Sequence, residues 1–288
     1  MNESVGDTGN ADQVAYWNGP AGRRWAQRQS TQDAILAPVT ELLIAHADPK
    51  QGEHIVDIGC GCGATTIEFA KRVGKTGGVL GVDISEQMLA RARERAPHDA
   101  ALEFVLADAT VYPFKAGAAD LLASRFGVMF FAEPARSFAN MRTALRPGGR
   151  MTFICWRTPK ENPWMMLPLQ AAYEHVPKMP PVGPEDPGPF AFASASRVEQ
   201  ILRDAGFADI RIAPHDFSLD VAAGGGLEAG VRMALEIGPA NRALEDATPE
   251  VKAAAAASIR EALAPHAKGT GVWLDASIWL VTATSPLS

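Results

Sequence analysis

The chain has 288 residues, a formal net charge of −6 and a sequence pI near 5.6, with 47% hydrophobic and 21% charged residues. That is ordinary globular composition, long enough for one large domain or a domain with a lid. The acidic balance leaves no electrostatic footprint for nucleic acid, no apolar run approaches the ~20 residues that span a membrane, and the N-terminus lacks a signal peptide's basic and apolar segments. A cytoplasmic protein is expected. Its three cysteines cannot form a paired framework, and Cys60-Gly-Cys62 without a nearby His/Cys pair predicts no metal site.

Residues 1–12 are polar and are expected to fray. From Val14 to Ala47 the pattern is helical, with interruptions predicted at Gly19-Pro20 and near Pro38. Tyr16, Trp17 and Trp25 crowd this segment. They either anchor the helices on the core or belong to a lid that closes over a ligand. Asp48-Pro49-Lys50-Gln51-Gly52 is a turn into the first strand.

Ile55, Val56 and Ile58 form the short β-branched run of a strand buried on both faces. Gly59, Gly61 and Gly63 then open a tight turn, and Ala64 to Val73 reads as a helix. Glycine there lets backbone approach a ligand closely and permits positive φ. A second strand, Gly78–Asp83, ends in a carboxylate about 20 residues on, where it can accept hydrogen bonds from ribose hydroxyls. Two cofactors fit such a unit, a dinucleotide and S-adenosylmethionine. Gly59-Cys-Gly61-Cys-Gly-Ala64 satisfies the dinucleotide pattern. Asp57, two residues before the first glycine, points the other way. A carboxylate is a poor neighbour for a pyrophosphate but suits a cofactor carrying a sulfonium and an ammonium.

The stretch Val56-Asp-Ile-Gly-Cys-Gly-Cys-Gly63 closely resembles motif I of the class I S-adenosylmethionine-dependent methyltransferases. It departs at Cys62, where the family commonly has a small hydroxyl or other small residue. Ser85 caps a helix that runs to Ala96 and is stopped by Pro97, with Met88, Leu89 and Ala92 on its apolar stripe. Arg91, Arg93 and Arg95 on that helix read as a solvated face. Asp83-Ile-Ser-Glu-Gln-Met-Leu-Ala90 resembles the family's second cofactor motif. The resemblance implies that Asp83 holds the ribose and Ile84 covers the adenine, and adds Met88 to the cofactor-binding residues. Leu102–Asp108 is the third strand, and Asp108-Ala109 resembles the family's third contact, a carboxylate on the adenine amino group. Asp57, Asp83 and Asp108 would converge on one crevice, because open parallel sheets bind ligands at the strands' carboxyl ends.

Ala119–Phe126 is the fourth strand, followed by Gly127–Phe131 and a helix from Pro134 to Leu145. In the family this strand's tip passes near the methyl group, so Arg125 is assigned to the cofactor site and Phe126 and Met129 to the substrate pocket. The tip reads Ser124-Arg-Phe-Gly127 rather than the Asn-Pro-Pro-Tyr of many enzymes that methylate DNA bases or protein glutamine, which disfavours those substrates. Leu145-Arg-Pro-Gly-Gly149, a family hallmark, is expected to end the helix and feed a fifth strand, Arg150–Trp156. Residues 159–189 then hold nine of the chain's 21 prolines, with Trp164, Met165 and Met166 on a short helical piece. This is expected to be an insertion over the strand ends, lining an adaptable apolar pocket with Trp156 and Trp164. A helix from Ser194 to Ala205 stopped by Gly206, a strand Ala208–Leu219, two helical stretches within Ala222–His266 and a closing strand Gly271–Ala283 complete the chain.

The resemblance implies an α/β fold: a doubly wound, Rossmann-like seven-stranded sheet whose antiparallel last strand lies between the fifth and sixth. The expected divisions are an N-terminal helical lid (1–50), a cofactor-binding core (51–156), a Pro-rich cap insertion (157–193), core helix and sixth strand (194–221), a helical cap insertion (222–268) and the final core strand (269–288). The implied enzyme is a small-molecule methyltransferase, similar to those of ubiquinone and menaquinone biosynthesis. It would move the methyl of S-adenosylmethionine by direct displacement onto a small, partly apolar acceptor, a quinone precursor or secondary metabolite, releasing S-adenosylhomocysteine. Asp57 with the backbone of Gly59, Gly61 and Gly63 would hold the methionine moiety. His175 and His215 are the cap-proximal histidines and hence the weak candidates for a general base. Two alternatives stand beside this reading. An NAD(P)-dependent oxidoreductase would use Gly59, Gly61, Ala64 and Asp83 but lacks a Tyr-x-x-x-Lys pair and leaves Asp57 and Asp108 unexplained. A non-catalytic relative would keep the cofactor and lose turnover. Oligomeric state is not legible in the chain.

Overall fold

Short apolar strands alternating with amphipathic helices force a sheet covered on both faces. In the computed structural model, which describes residues 9–287, three N-terminal helices come first: α1 (Ala11–Asn18), α2 (Pro20–Gln27) and α3 (Gln29–Ala47). The alternating core follows as β1 (His54–Ile58), α4 (Ala64–Val73), β2 (Gly78–Asp83), α5 (Glu86–Arg95), β3 (Leu102–Leu106), β4 (Ala119–Arg125), α6 (Pro134–Arg142) and β5 (Leu145–Trp156). Then come α7 (Pro163–Ala172), α8 (Ala195–Asp204), β6 (Ala208–Asp220), α9 (Gly226–Glu236), α10 (Pro239–Ala243), α11 (Pro249–Leu263), the two-residue β7 (Ala267–Lys268) and β8 (Gly271–Thr284).

The strand order is β3-β2-β1-β4-β5-β8-β6, with β7 paired to β8 off this path. β1, at the sheet's centre, is buried from Ile55 through Ile58. It runs parallel to β2 from His54↔Gly78 to Ile58↔Val82, and parallel to β4 on its other side. β8 is antiparallel to both β5 and β6 and lies between them. This is the Rossmann-like sheet with the inserted antiparallel last strand. Phe69, Phe138, Phe153, Leu121, Met141 and Ile154 are fully buried around it.

Four local expectations are corrected. Pro38 does not interrupt the helix but lies inside α3. A helix-interior proline costs about 3 kcal/mol. Ile35, Leu36, Val39 and Leu43 around it are each at most 3% exposed, and burial of such side chains returns about 1.5–3 kcal/mol apiece. The Leu145-Arg-Pro-Gly-Gly149 segment is not a helix-ending turn, since α6 has already stopped at Arg142. It is an irregularity within β5, where the pairing jumps from Ala119↔Leu145 to Leu121↔Arg150. Its amide and carbonyl groups are met by Ser285: Gly148 N–H donates to Ser285 O and Ser285 N–H to Gly149 O. The 222–266 stretch holds three helices rather than two, α10 being a single short turn begun by Pro239. Finally, Asn10, expected in a frayed tail, is 3% exposed; residues 1–8 of that tail lie outside the described residues.

Candidate active site

The loops at the carboxyl ends of β1, β2 and β4 meet at a glycine crossing. Gly59, Gly61 and Gly63 stand at φ +64, +55 and +80. A Cβ on Gly59 would come 2.5 Å from Gly127 Cα, and one on Gly61 would come 2.8 Å from Met88 Cε. Asp83 fastens this turn to the next helix: one oxygen accepts Gly61 N–H at 2.7 Å and the other accepts Ser85 N–H at 2.8 Å. Ser85 in turn caps α5 by accepting from Met88 N–H. Burial raises the Asp83 carboxyl above its ordinary pKa, against the lowering by those amides.

Asp57 sits behind the turn and does not line the cavity. It is completely buried. One oxygen accepts the Thr65 and Thr66 hydroxyls, both at 2.6 Å, and the other, Oδ1, has no partner. Burial pushes its carboxyl up to about 6, with the two threonines and Arg125 pulling the other way. Direct contact with a cofactor's methionine moiety, the expectation from sequence, is replaced by a hold on the first turn of α4. Gly63, packed against Phe104 and Ala92, is likewise outside the lining.

Asp108 is almost covered, by a residue the sequence reading missed. Asn10 Nδ2 donates to both Asp108 oxygens, at 3.1 and 3.0 Å, and to Thr110 Oγ1, while Asn10 Oδ1 accepts Ala132 N–H at 2.9 Å. The partners are about a hundred residues away in sequence, so no local pattern marks Asn10.

A cavity of about 1470 Å³ opens in front of these groups. Tyr16, Trp17, Trp25, Gly59, Gly61, Asp83, Ile84, Met88, Asp108, Ala109, Arg125, Phe126, Met129, Trp156 and Trp164 all line it. The two histidines do not. His175 Nε2 bonds the Ser258 hydroxyl at 2.8 Å, between the end of α7 and α11, and His215 is exposed on β6 beside Phe217. Neither can serve as a base there, and both candidacies are withdrawn.

Missed lining residues stand on α3. Gln29 and Gln32 are 6% and 4% exposed, and Gln32 Nε2 has no partner. Asp33 beside them pairs with Arg95 at 2.6 Å, and Arg95 also donates to Cys62 O at 2.7 Å. Arg91 donates to Gln29 Oε1 and Arg93, which stays exposed, to Phe104 O, so of the arginine series only Arg95 braces the turn. The signal was available: Gln29, Gln32 and Asp33 fall at i, i+3 and i+4, a polar stripe on an otherwise apolar helix. Arg125 Nη1 donates to Thr40 Oγ1 on the same helix at 2.6 Å.

The N-terminal aromatics both anchor and line. Trp17 meets Tyr16, Trp25 and Phe130 edge-on, at 5.2, 6.2 and 5.2 Å. Its carbonyl accepts the Ser85 hydroxyl at 2.8 Å, while Asn18 accepts Glu86 N–H and donates to Ile84 O. On the far side α2 meets the helices after β6 through the exposed pairs Arg24–Glu245 and Arg28–Glu236.

Residues 55–149 match the family described as a methyltransferase domain. The chain is 30% identical over 250 residues to nocamycin O-methyltransferase of Saccharothrix syringae, spanning 82% of this chain and 86% of that one. This chain belongs to the class I S-adenosylmethionine-dependent methyltransferases. The methyltransferase is also 35% identical over 122 residues to an uncharacterized 37.1 kDa protein in transposon TN4556 of Streptomyces fradiae, with 42% of this chain and only 35% of that protein covered. Its fold matches a Haemonchus contortus phosphoethanolamine N-methyltransferase solved with S-adenosylhomocysteine (TM-score 0.58, 17% identity), covering 99% of this chain and 61% of that one. The methyl donor of the family is S-adenosylmethionine, and neither the oxidoreductase nor the non-catalytic reading finds support in these relatives. Among the described residues no helix is long and apolar enough to cross a membrane.

Proposed function

We propose that this methyltransferase acts on a small, partly apolar acceptor, a quinone precursor or secondary metabolite, held between the glycine crossing and the two cap insertions. The observation that carries the reading is the cavity: at about 1470 Å³ it exceeds the roughly 300–1,000 Å³ of a single-ligand site. Cofactor and acceptor can share it. Its apolar lining includes Trp156, Trp164, Met165, Met166 and Met233. The relative that acts on nocamycin supports an acceptor of metabolite size.

The residues fit the cofactor. Gly61 leaves a cradle that a Cβ would fill, Asp83 and Asp108 present carboxylates at its rim, and Asp57 Oδ1 sets an unpartnered negative group beneath it. In this reading Asp83 holds the ribose, Ile84 and Met88 flank the adenine, Asp108 with Asn10 meets its edge, and Arg125 and the Gly59–Gly61 backbone face the methionine end. The bound cofactor supplies an electrophilic methyl on a sulfonium that is already a good leaving group. The chain's work is alignment and exclusion of water. Residues 1–50 act as the lid, and 157–193 and 222–268 as caps. The enzyme works in the cytoplasm on a small molecule rather than nucleic acid, in keeping with its net charge of −6.

The test is calorimetric titration with S-adenosylhomocysteine, NAD⁺ as control, followed by a methyl-release screen over phenolic, quinol and polyketide acceptors. Tight binding of S-adenosylhomocysteine with turnover of at least one acceptor is expected. Binding of NAD⁺ in its place, or methylation confined to nucleic acid or protein, would refute the reading.

A further inference from the structure

The N-terminal helices are held on two sides by different means. Toward α5 they are tied by hydrogen bonds: Ser85 Oγ and Gln87 Nε2 donate to the Trp17 and Asn18 carbonyls at 2.8 and 2.9 Å. The Asn18 side chain adds bonds to Glu86 N–H and Ile84 O. Toward the second cap the links are ionic. Arg24 meets Glu245 at 3.5 Å, and Arg28 meets Glu236. Among the described residues, no other hydrogen bond or ion pair runs from α1, α2 or α3 to residues 222–268. The four side chains keep between 28% and 49% of their surface in solvent.

The seam between the pairs is not filled. A space of about 120 Å³ separates Tyr16, Ala21 and Trp25 from Ile237 and Asn241. Tyr16, Trp25, Ile237 and Glu245 also line the large cavity, so this seam is part of the cavity's wall. Gly238, at the corner between α9 and α10, stands at φ +90 with nothing within 4 Å of where a Cβ would lie. That corner has room to move. Exposed ion pairs hold weakly, and salt screens them. The α5 side cannot part without leaving carbonyls and an amide unmet; the cap side can part into water.

We propose that Arg24–Glu245 and Arg28–Glu236 form an ionic latch on a ligand door: the α9–α10 corner swings off α2 to pass small molecules, and the two pairs draw it shut. The proposal rests on the reading of the cavity as the shared site of cofactor and acceptor, and says which of its edges opens. In the two pairs both cations stand on α2 and both anions on the cap, so the edges attract as a set. Closure excludes water during methyl transfer, and the weakness of the pairs lets product leave.

The test follows release of radiolabelled S-adenosylhomocysteine from the full chain, chased with an unlabelled excess. If this ligand does not bind, the cofactor reading falls and the door with it. It carries no net charge, so salt acts on the seam rather than on the ligand. Raising NaCl from about 20 to about 500 mM is expected to speed release about threefold. Arg24→Glu with Arg28→Glu sets acid against acid. Release is then expected to be about tenfold faster at low salt, and added salt to slow it. In a third protein, Arg24→Cys with Glu245→Cys, the introduced thiols are bridged by a short bis-maleimide with the ligand bound. Cys60, Cys62 and Cys155 are buried away from the reagent. Bridging is expected to slow release at least about tenfold. The wild-type salt series and the bridged protein stand even if the charge-reversed variant misfolds. Release indifferent to the bridge, or a salt effect that keeps its sense after charge reversal, would overturn the latch and leave the cofactor reading intact.

Discussion

Gly59 and Gly127 touch backbone to backbone, with 2.5 Å between the position of a Gly59 Cβ and the Gly127 Cα. The contact joins the ends of β1 and β4, and Ser124 locks it: its hydroxyl donates to Ile58 O at 2.8 Å and accepts Gly127 N–H at 3.1 Å. The cofactor turn and Phe126, which stands at φ +68, are thus one unit.

Gly59→Ala should break that unit. The left-handed φ of +64 alone costs an alanine about 1–2 kcal/mol, and the overlap with Gly127 adds to it. A loss of at least about 2 kcal/mol in urea unfolding is expected, together with weaker S-adenosylhomocysteine binding. An unchanged urea midpoint would mean that the crossing gives way easily.

Asp57 should make the empty protein less stable as pH rises. Its folded-state pKa, raised to about 6 from 3.8 by burial, means that folding takes up a proton between those values. The favourable contribution is full below about pH 4 and is lost as pH climbs through about 6, on the order of 3 kcal/mol. Asp57→Asn keeps an oxygen for the threonine hydroxyls and removes the charge. The gap in urea midpoint between variant and wild type should widen in the variant's favour from pH 4.5 to 7; a constant gap would contradict the assignment.

Asp83→Ala removes the acceptor for Gly61 N–H and Ser85 N–H as well as the proposed ribose partner. S-adenosylhomocysteine binding should weaken by about 2 kcal/mol, roughly 30-fold. Calorimetry measures it, with circular dichroism to show the fold intact. Unchanged affinity would remove Asp83 from the ribose.

Asn10→Ala strips Asp108 of its amide partner and leaves Ala132 N–H unmet. The cost is about 1–3 kcal/mol, and it should fall on the N-terminal helices. Hydrogen exchange in residues 11–27 should speed up while β1 stays protected. Acceleration throughout the sheet would instead make Asn10 part of the global core.

What could be read from the chain was written in neighbours. Ile55 to Asp83 encodes strand, turn, helix and strand within thirty residues, so glycine spacing and β-branched runs were enough. Ser85 was legible as a helix cap because a cap bonds an amide three residues on. The errors have the opposite character. Pro38 reads locally as a break, yet α3 survives because its flanks are buried in the core. Arg95 read as part of a solvated face because its partners, Cys62 and Asp33, lie on other elements.

By itself, the sequence determined the alternating α/β order, the glycine turn and the acids at three strand ends, and its resemblance to the methyltransferase motifs implied the cofactor class. Only the tertiary structure decided that Asp57 works from behind the turn, that Asn10 covers Asp108, that His175 and His215 face away, and that Phe126, Trp156 and Trp164 pack ring against ring. The physical reason is range. Periodicity and caps act over a few residues, whereas desolvation, ring stacking and the pairing of a buried amide depend on which distant segments the packed sheet brings together.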